Sequence, residues 1–319
     1  MRAMNPPQLV ICGSIAVDRI MNFAGHYRDY IESKKIDVLS VSVLVDSLEE
    51  AEGGTGANIA YNLASLGDNP CLLGSSGRNT VAYVNRLAAM GVDISNVHIS
   101  RTPTASFNVL TDGFGNQVGG FYPGAMHDSK SLTFSTWANQ NIVACISAHD
   151  PAAMRRQVDE CAKHEIRLVY DPGQQVNNVP ASDLRAGVQT AEVLFVNEYE
   201  LSQLTKKTGW REKELEAMVP VLICTHGSRG SIISGRRVPK PVKVSISKPA
   251  KISDPTGAGD AYRAGFLYGY LRQWEPAACG QLGSVVASFA LEQHGPQAKL
   301  TKKAIIERYK KTYKKELVL

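Results

Sequence analysis

Ser253–Gln273 reads SDPTGAGDAYRAGFLYGYLRQ, a glycine-rich turn that runs directly into an apolar-periodic segment. Gly257, Ala258 and Gly259 leave the backbone free to aim successive N–H groups at one spot, and the helix predicted after them turns its positive dipole end toward that spot. An anion would be held there. Asp260 stands at the mouth of this nest, where a carboxylate can take the proton of a hydroxyl nucleophile while the amides stabilise charge on a transferring phosphoryl group. The same pattern also serves as a plain helix cap, so other segments must decide between the two. It is not a dinucleotide fingerprint, because Tyr262 occupies the place of the third glycine, and the chain has no G-x-x-x-x-G-K-[ST].

Toward the N-terminus, strand-like and helix-like runs alternate. QLVICGSIAV, broken by Gly13 and Ser14 and followed by Asp18, predicts a buried strand that delivers polar groups at its end. GANIAYNLASLG and TVAYVNRLAAMG predict helices closed by Gly67 and Gly91, the second with Val81, Val84 and Leu87 on one face. NIVACIS leads to DPAAMRRQVDECAKH, in which Asp150 can cap and Pro151 can take the first helical position. IRLVYDPG, AEVLFVN, EYELSQLTKKTG, VLICT and a hairpin SRGSIISGRRV continue the series. This β–α alternation predicts a doubly wound α/β domain, a mainly parallel sheet with helices on both faces. Two stretches depart from it. VLSVSVLVD alternates Leu39, Val41, Val43 and Val45 against Ser40 and Ser42, predicting a strand with one polar side, and TASFNVLTDGFGNQVGGFYPG predicts a hairpin. Together they predict a small β-sheet lid from about residues 14–52 and 99–123, an insertion into a single domain.

Composition narrows the function classes. Of 319 residues 44% are apolar and 20% charged, ordinary globular usage with enough apolar material for a sizeable core. Net charge is 35 − 30 = +5, and residues 301–319 alone carry seven Lys or Arg against two Glu, so the rest of the chain is formally neutral. A short basic terminus is a solvated helix face rather than a nucleic-acid surface, and Ile305, Ile306 and Tyr309 give it a stripe for docking on the body. The six cysteines are scattered and several sit in apolar runs, as expected of buried thiols in a reducing compartment. With no stretch approaching ~18 apolar residues and no signal-peptide layout, a cytoplasmic protein without membrane contact is expected. H-E-x-x-H, Cys/His clusters and G-x-S-x-G are absent, which leaves zinc and serine hydrolases without support.

Three further segments carry candidate chemistry, each with a bland alternative. In AEGGTGANIAYNLASLG, Gly53 and Gly54 allow close approach of a ligand and Asn58 offers donor and acceptor to a hydroxyl-rich molecule, or the glycines simply make a tight turn. In VNEYE, Asn197 to Glu200 stand at a strand end, where Glu200 could hold Mg²⁺ through water or favour a helix start. In THGSRG, Thr225 to Gly230, the glycines admit a nucleotide or form a hairpin turn.

A GG segment, N-x-x-E, T-x-G-x-x-G and D-x-T-G-A-G-D in this order resemble the ribokinase-like (PfkB) carbohydrate and nucleoside kinases over roughly residues 8–297. GSIAVDRIM, SVSVLVD, FYPGAM, DPGQQ and DPTGAGDAYRAGFL look most like bacterial adenosine kinases within that family. The resemblance implies an ATP- and Mg²⁺-dependent enzyme that phosphorylates the 5′-hydroxyl of a purine nucleoside, adenosine to AMP, in purine salvage. It makes Asp260 the general base and Gly257, Ala258 and Gly259 the anion hole. Asp18 would bond the sugar hydroxyls, Gly53, Gly54 and Asn58 would close around the ribose with Ser14 and Ser42 nearby, and Phe107 and Phe121 would flank the base. Asn197, Thr225, Gly227 and Gly230 would lie along ATP, with Glu200 positioning Mg²⁺. Arg263, on the helix face of Asp260, either touches phosphate or pairs with a carboxylate. Asn177 and Asn178 after DPGQQ leave guanosine, inosine or cytidine open as substrates. LEQHGPQA lies where the family builds a monovalent-cation site from backbone oxygens, which leave no residue signature, so K⁺ dependence stays open, as does a homodimer. A ribokinase- or fructokinase-type sugar kinase and a non-catalytic nucleoside-binding module are the alternatives.

Overall fold

The structure, a computed structural model, describes residues 6–31, 40–297 and 299–319. Nine strands build the large sheet: β1 (Gln8–Cys12), β4 (Cys71–Gly77), β5 (Val97–Ser100), β8 (Ile142–Ile146), β9 (Arg167–Tyr170), β10 (Ala191–Asn197), β11 (Val221–Thr225), β12 (Ser231–Ser234) and β13 (Val242–Val244). Their order is β13-β12-β11-β10-β9-β8-β1-β4-β5, parallel except at β12 and β13. The central strands β1, β8, β10 and β11 are largely apolar and buried because both faces are covered. Leu9, Ile11, Val193 and Phe195 pack under α2 (Thr55–Ser65), α3 (Val81–Ala89), α8 (Ala258–Leu271), α9 (Pro276–Ala290) and α10 (Lys302–Tyr313). Their neighbours Val10, Cys12, Leu194 and Val196 face α4 (Pro151–Lys163), α5 (Ala181–Thr190), α6 (Glu198–Thr208) and α7 (Glu212–Met218) on the other side. This is the doubly wound arrangement that the sequence predicts.

Local signals behave as expected at most helix ends. Gly67 and Gly91 take left-handed conformations after α2 and α3, and the Asp150 carboxylate accepts the N–H groups of Ala152 and Ala153 at 3.0 Å. The basic helix α10 docks through buried Ile305 and Tyr309. All six cysteines are free and buried, and no described helix is long and apolar enough to cross a membrane. On α3 the apolar face differs from the prediction: Val84 and Leu87 are buried, but Val81 is 37% exposed and Tyr83 takes its place inside.

The remaining strands, β2 (Ala16–Asn22), β3 (Ser47–Gly53), β6 (Ala105–Thr111) and β7 (Gln117–Tyr122), form a separate sheet in the order β3-β2-β6-β7. Two expectations need correction here. QLVICGSIAVD is not one strand: the chain leaves the large sheet at Cys12 and enters the small one at Ala16, so Asp18 lies on β2 rather than at the end of a buried strand. VLSVSVLVD does not form the predicted strand either. Leu39 lies outside the described residues, residues 40–45 are irregular, and Leu44 is 90% exposed. Alternation marks a possible pair of faces, but a strand also needs a hydrogen-bonding edge, and Ser47–Gly53 occupies that edge of β2 over its full length, from Ala16–Gly53 to Asn22–Ser47.

The crossing from one sheet to the other depends on a contact between glycines. A Cβ on Gly56, in the first turn of α2, would lie 2.7 Å from the Cα of Gly13. Gly56→Val is therefore expected to destabilise the protein by about 1–3 kcal/mol through overpacking, read as a lowered midpoint in thermal unfolding.

Candidate functional site

The first turn of α8 brings the nest and the carboxylate together. Gly257 caps the helix at φ 75°, a left-handed conformation that suits glycine, and a side chain there would also run into Pro296. Ala258, Gly259 and Asp260 follow, with first-turn N–H groups that have no acceptor inside the helix. Asp260 is buried, and its Oδ2 accepts a hydrogen bond from Asn58 Nδ2 on α2 at 2.9 Å. Burial pushes its carboxyl up to about 6, while Arg263 and the Asn58 bond pull it down.

Arg263 pairs with carboxylates. Its Nε lies 2.6 Å from Oδ2 of Asp171, the residue after β9, and its Nη2 donates to Asp171 Oδ1 at 2.6 Å. The same guanidinium stands 3.9 Å from Glu200 Oε2, and Ser147 Oγ donates to Asp171 at 2.7 Å. Glu200 is buried, which raises its proton affinity, and it closes a capping box with Asn197: each residue accepts the other's N–H at 2.8 Å. Across the sheet Asn197 pairs with Thr225, and His226 Nδ1 reaches Glu198 Oε1 at 2.9 Å, so N-x-x-E and T-x-G-x-x-G form one rim. Gly230, at φ 91°, is needed where the chain passes the Val244 carbonyl, whereas Gly227, at φ 55°, borders open space.

The sugar-side candidates divide. Asp18 lies on β2, and a Cβ placed on Gly53 would come 3.4 Å from its Oδ2, 3.9 Å from Asn58 Nδ2 and 3.3 Å from the Pro296 ring. These groups therefore surround one point. Burial and the neighbouring Asp254 both raise the Asp18 carboxyl above its ordinary range. Phe107 pairs in register with Asp18 on one side and with Phe121 on the other, so all three share one face of the small sheet. The two rings are 38% and 50% exposed.

Other candidates have structural work. Asn58 gives its amide N–H to Asp260, and Ser14 accepts the Thr55 N–H at 3.0 Å, which caps α2 in place of the side chain that Gly54 lacks. Gly54, at φ 96°, packs against the Ser14 and Ala16 backbone. Ser42 is exposed in the irregular segment and not on the strand predicted for it.

Several residues of the site escaped the sequence reading. DPGQQ contains Asp171, but nothing in that motif indicates its partner Arg263, which is 92 residues further on. Gln297 donates through Nε2 to Asn58 Oδ1 at 3.4 Å and to the Tyr83 hydroxyl, which itself donates to the Gly53 carbonyl at 3.1 Å. Asp254 accepts the N–H groups of Thr256 at 2.8 Å and Gly295 at 3.0 Å, tying the nest loop to the H-G-P-Q loop.

Comparison with known proteins places this geometry. The model of the pfkB family of carbohydrate kinases matches residues 9–303. A nucleoside kinase of Methanocaldococcus jannaschii is 32% identical over 89% of this chain and 94% of its own length. The solved structure of the Burkholderia thailandensis nucleoside kinase in complex with inosine superposes with a TM-score of 0.87 at 30% identity, covering 97% of this chain and 100% of that one. The same enzyme's structure in complex with ADP-inosine gives 0.83 at 31% identity, covering 97% of each chain. A fold of this kind, matched to the family model over almost its entire length, makes the chain a member of the pfkB carbohydrate kinase family, phosphotransferases that act on a hydroxyl group.

Proposed function

We propose that this chain is an ATP- and Mg²⁺-dependent nucleoside kinase that phosphorylates the 5′-hydroxyl of a purine nucleoside, with adenosine as the first candidate and inosine as the second. The observation that carries this reading is the row Asp18–Phe107–Phe121 on one face of the small sheet. A carboxylate beside two exposed aromatic rings suits a ribose joined to a flat base, and stacking on such rings is worth about 1–3 kcal/mol per base. A bare sugar gains little from them. The relatives named above act on nucleosides, and one of them binds inosine.

In this reading Asp18 holds the ribose hydroxyls beside Gly53, and the 5′-hydroxyl points to Asp260. Asp260 accepts the hydroxyl proton as the oxygen attacks the γ-phosphorus of ATP and the bond to the β,γ-bridging oxygen breaks, so that ADP leaves. The amides of Gly257, Ala258 and Gly259 take the charge of the moving phosphoryl group. ATP lies along Asn197, Thr225, Gly227 and Gly230, and the small sheet closes as a lid that keeps water from competing as acceptor.

The residues fit a magnesium ion held mainly by the nucleotide. Glu200 commits Oε2 to the cap of α6, and no three His, Cys, Asp or Glu side chains among the described residues converge as a ligand set. Contact through water is therefore the role open to Glu200, and the ion would neutralise charge on the β- and γ-phosphates.

A panel of adenosine, inosine, guanosine, cytidine, ribose and fructose with ATP, with and without K⁺, tests the reading by ADP release. Turnover of purine nucleosides is expected, and turnover of sugars alone would overturn it. Phe107→Ala and Phe121→Ala should each raise KM for the nucleoside about 5- to 150-fold, the equivalent of one lost stack, with a smaller effect on any sugar accepted.

Asp260→Asn should leave nucleoside binding by calorimetry nearly intact and lower kcat about 10²–10⁴-fold. The base must be ionised to work, so kcat/KM should rise with pH to a plateau with a midpoint at about 6, the value to which burial raises the Asp260 carboxyl. A profile flat from pH 5 to 8 would contradict this.

A further inference from the structure

Donors presented by its neighbours favour the ionised form in which Asp260 can act as a base. The neighbour on α2 is an amide, and a carboxamide can turn either end toward a carboxyl. With Nδ2 inward, Asn58 stabilises the carboxylate; with Oδ1 inward, it requires a protonated acid. Something must select the orientation.

The selection can be followed from a backbone carbonyl. The Gly53 oxygen can only accept, so the Tyr83 hydroxyl, 3.1 Å away, donates to it. With its proton committed, that hydroxyl is an acceptor toward Gln297, and Gln297 therefore turns Nε2 toward it. The second N–H of the same nitrogen points to Asn58 Oδ1 at 3.4 Å. Asn58 is left with Nδ2 toward Asp260, at 2.9 Å. Each step removes one of two choices, and all the side chains except Gln297 are buried. Pro296, the preceding residue, is wedged between Gly53 and Gly257, which holds Gln297 in place.

We propose that Tyr83 and Gln297 are positioning residues that fix the orientation of Asn58 and so keep Asp260 an acceptor, linking the Gly53–Gly54 segment to the base by a directed chain of hydrogen bonds. The inference rests on the reading of Asp260 as the base. Neither residue touches the reacting atoms. The other charged or titratable groups facing Asp260 are Arg263 on its own helix, Asp171 after β9, Glu200 on α6 and the Cys145 thiol on β8, with Asp18 on β2 lying across Gly53; the substitutions below leave all of them in place.

Gln297→Met keeps the length of the side chain and removes both N–H groups, and Tyr83→Phe removes a single oxygen. The Asp260 carboxyl is titrated directly by carboxyl ¹³C NMR in protein labelled at aspartate, its signal assigned by loss in Asp260→Asn. Gln297→Met should raise the NMR midpoint by about one pH unit, with an equal rise in the acid limb of kcat/KM. That corresponds to about tenfold lower activity on the limb and a plateau within a few-fold of the parent at high pH. Tyr83→Phe should move both in the same direction, and it carries the test if Gln297→Met does not fold. An unmoved NMR midpoint overturns the proposal whatever happens to the rate. A midpoint that rises while the acid limb stays put supports the hydrogen-bond chain and removes Asp260 as the base, so the two claims fail separately.

Discussion

One guanidinium among three carboxylates is the constraint on which this site depends. Arg263 is bonded to Asp171, lies near Glu200, and shares a helix with Asp260, so one buried positive charge faces three acids from three elements. Removing one partner of a buried pair typically costs about 3–5 kcal/mol, because the charge left behind has no solvent. The arrangement therefore locks the end of β9, the start of α6 and the start of α8 together. It also leaves the cluster short of positive charge. Both Asp260 and Glu200 are pushed up by burial, and Arg263 limits how far. In the role proposed for Asp260, a base for a hydroxyl works best with a pKa near the working pH, and this balance raises Asp260 toward that range without keeping it neutral.

The second organising element is the H-G-P-Q loop. Gly295 is tied to Asp254, the Pro296 ring fills the space beside Gly53 and Gly257, and Gln297 reaches Asn58 and Tyr83. Two glycines that look independent in sequence, one on the sugar side and one in the anion nest, are thus in contact with the same proline. A Cβ on Gly257 would collide with the Pro296 Cβ, and one on Gly53 would sit tightly at 3.3 Å from the Pro296 Cγ.

The legible part of this protein is local. Apolar runs, Gly67, Gly91, the Asp150 cap and the G-A-G-D turn depend on neighbours a few residues away, and their signals are complete within a short window. What was not legible depends on partners distant in the chain. VLSVSVLVD has a strand's alternation but not a strand's edge, since β3 already occupies it. Gly13 and Ser14 mark a break between β1 and β2, but not that the chain changes sheets there, and the role of Arg263 depends on Asp171, 92 residues away. The position of Asn58 in the GG segment suggests a contact for hydroxyls. Its hydrogen bond to Asp260 spans 202 residues.

The division between the two sheets has a chemical logic. The nest, Asp260, Asn197 and Thr225 stand at the ends of strands or starts of helices in the large sheet, where backbone amides are held rigidly by flanking layers. Phe107 and Phe121 stand on the small sheet, which is four strands wide and buries few apolar side chains, Ala16, Val17, Ala105 and Val109. Under the proposed function, altering a ring there would change what lies against the sheet and leave the phosphate-side residues in place. Asp18 belongs to that small sheet but lies against Gly53 and Asn58, so under the proposed function it is the point where recognition of a ligand and placement of its hydroxyl cannot be varied independently.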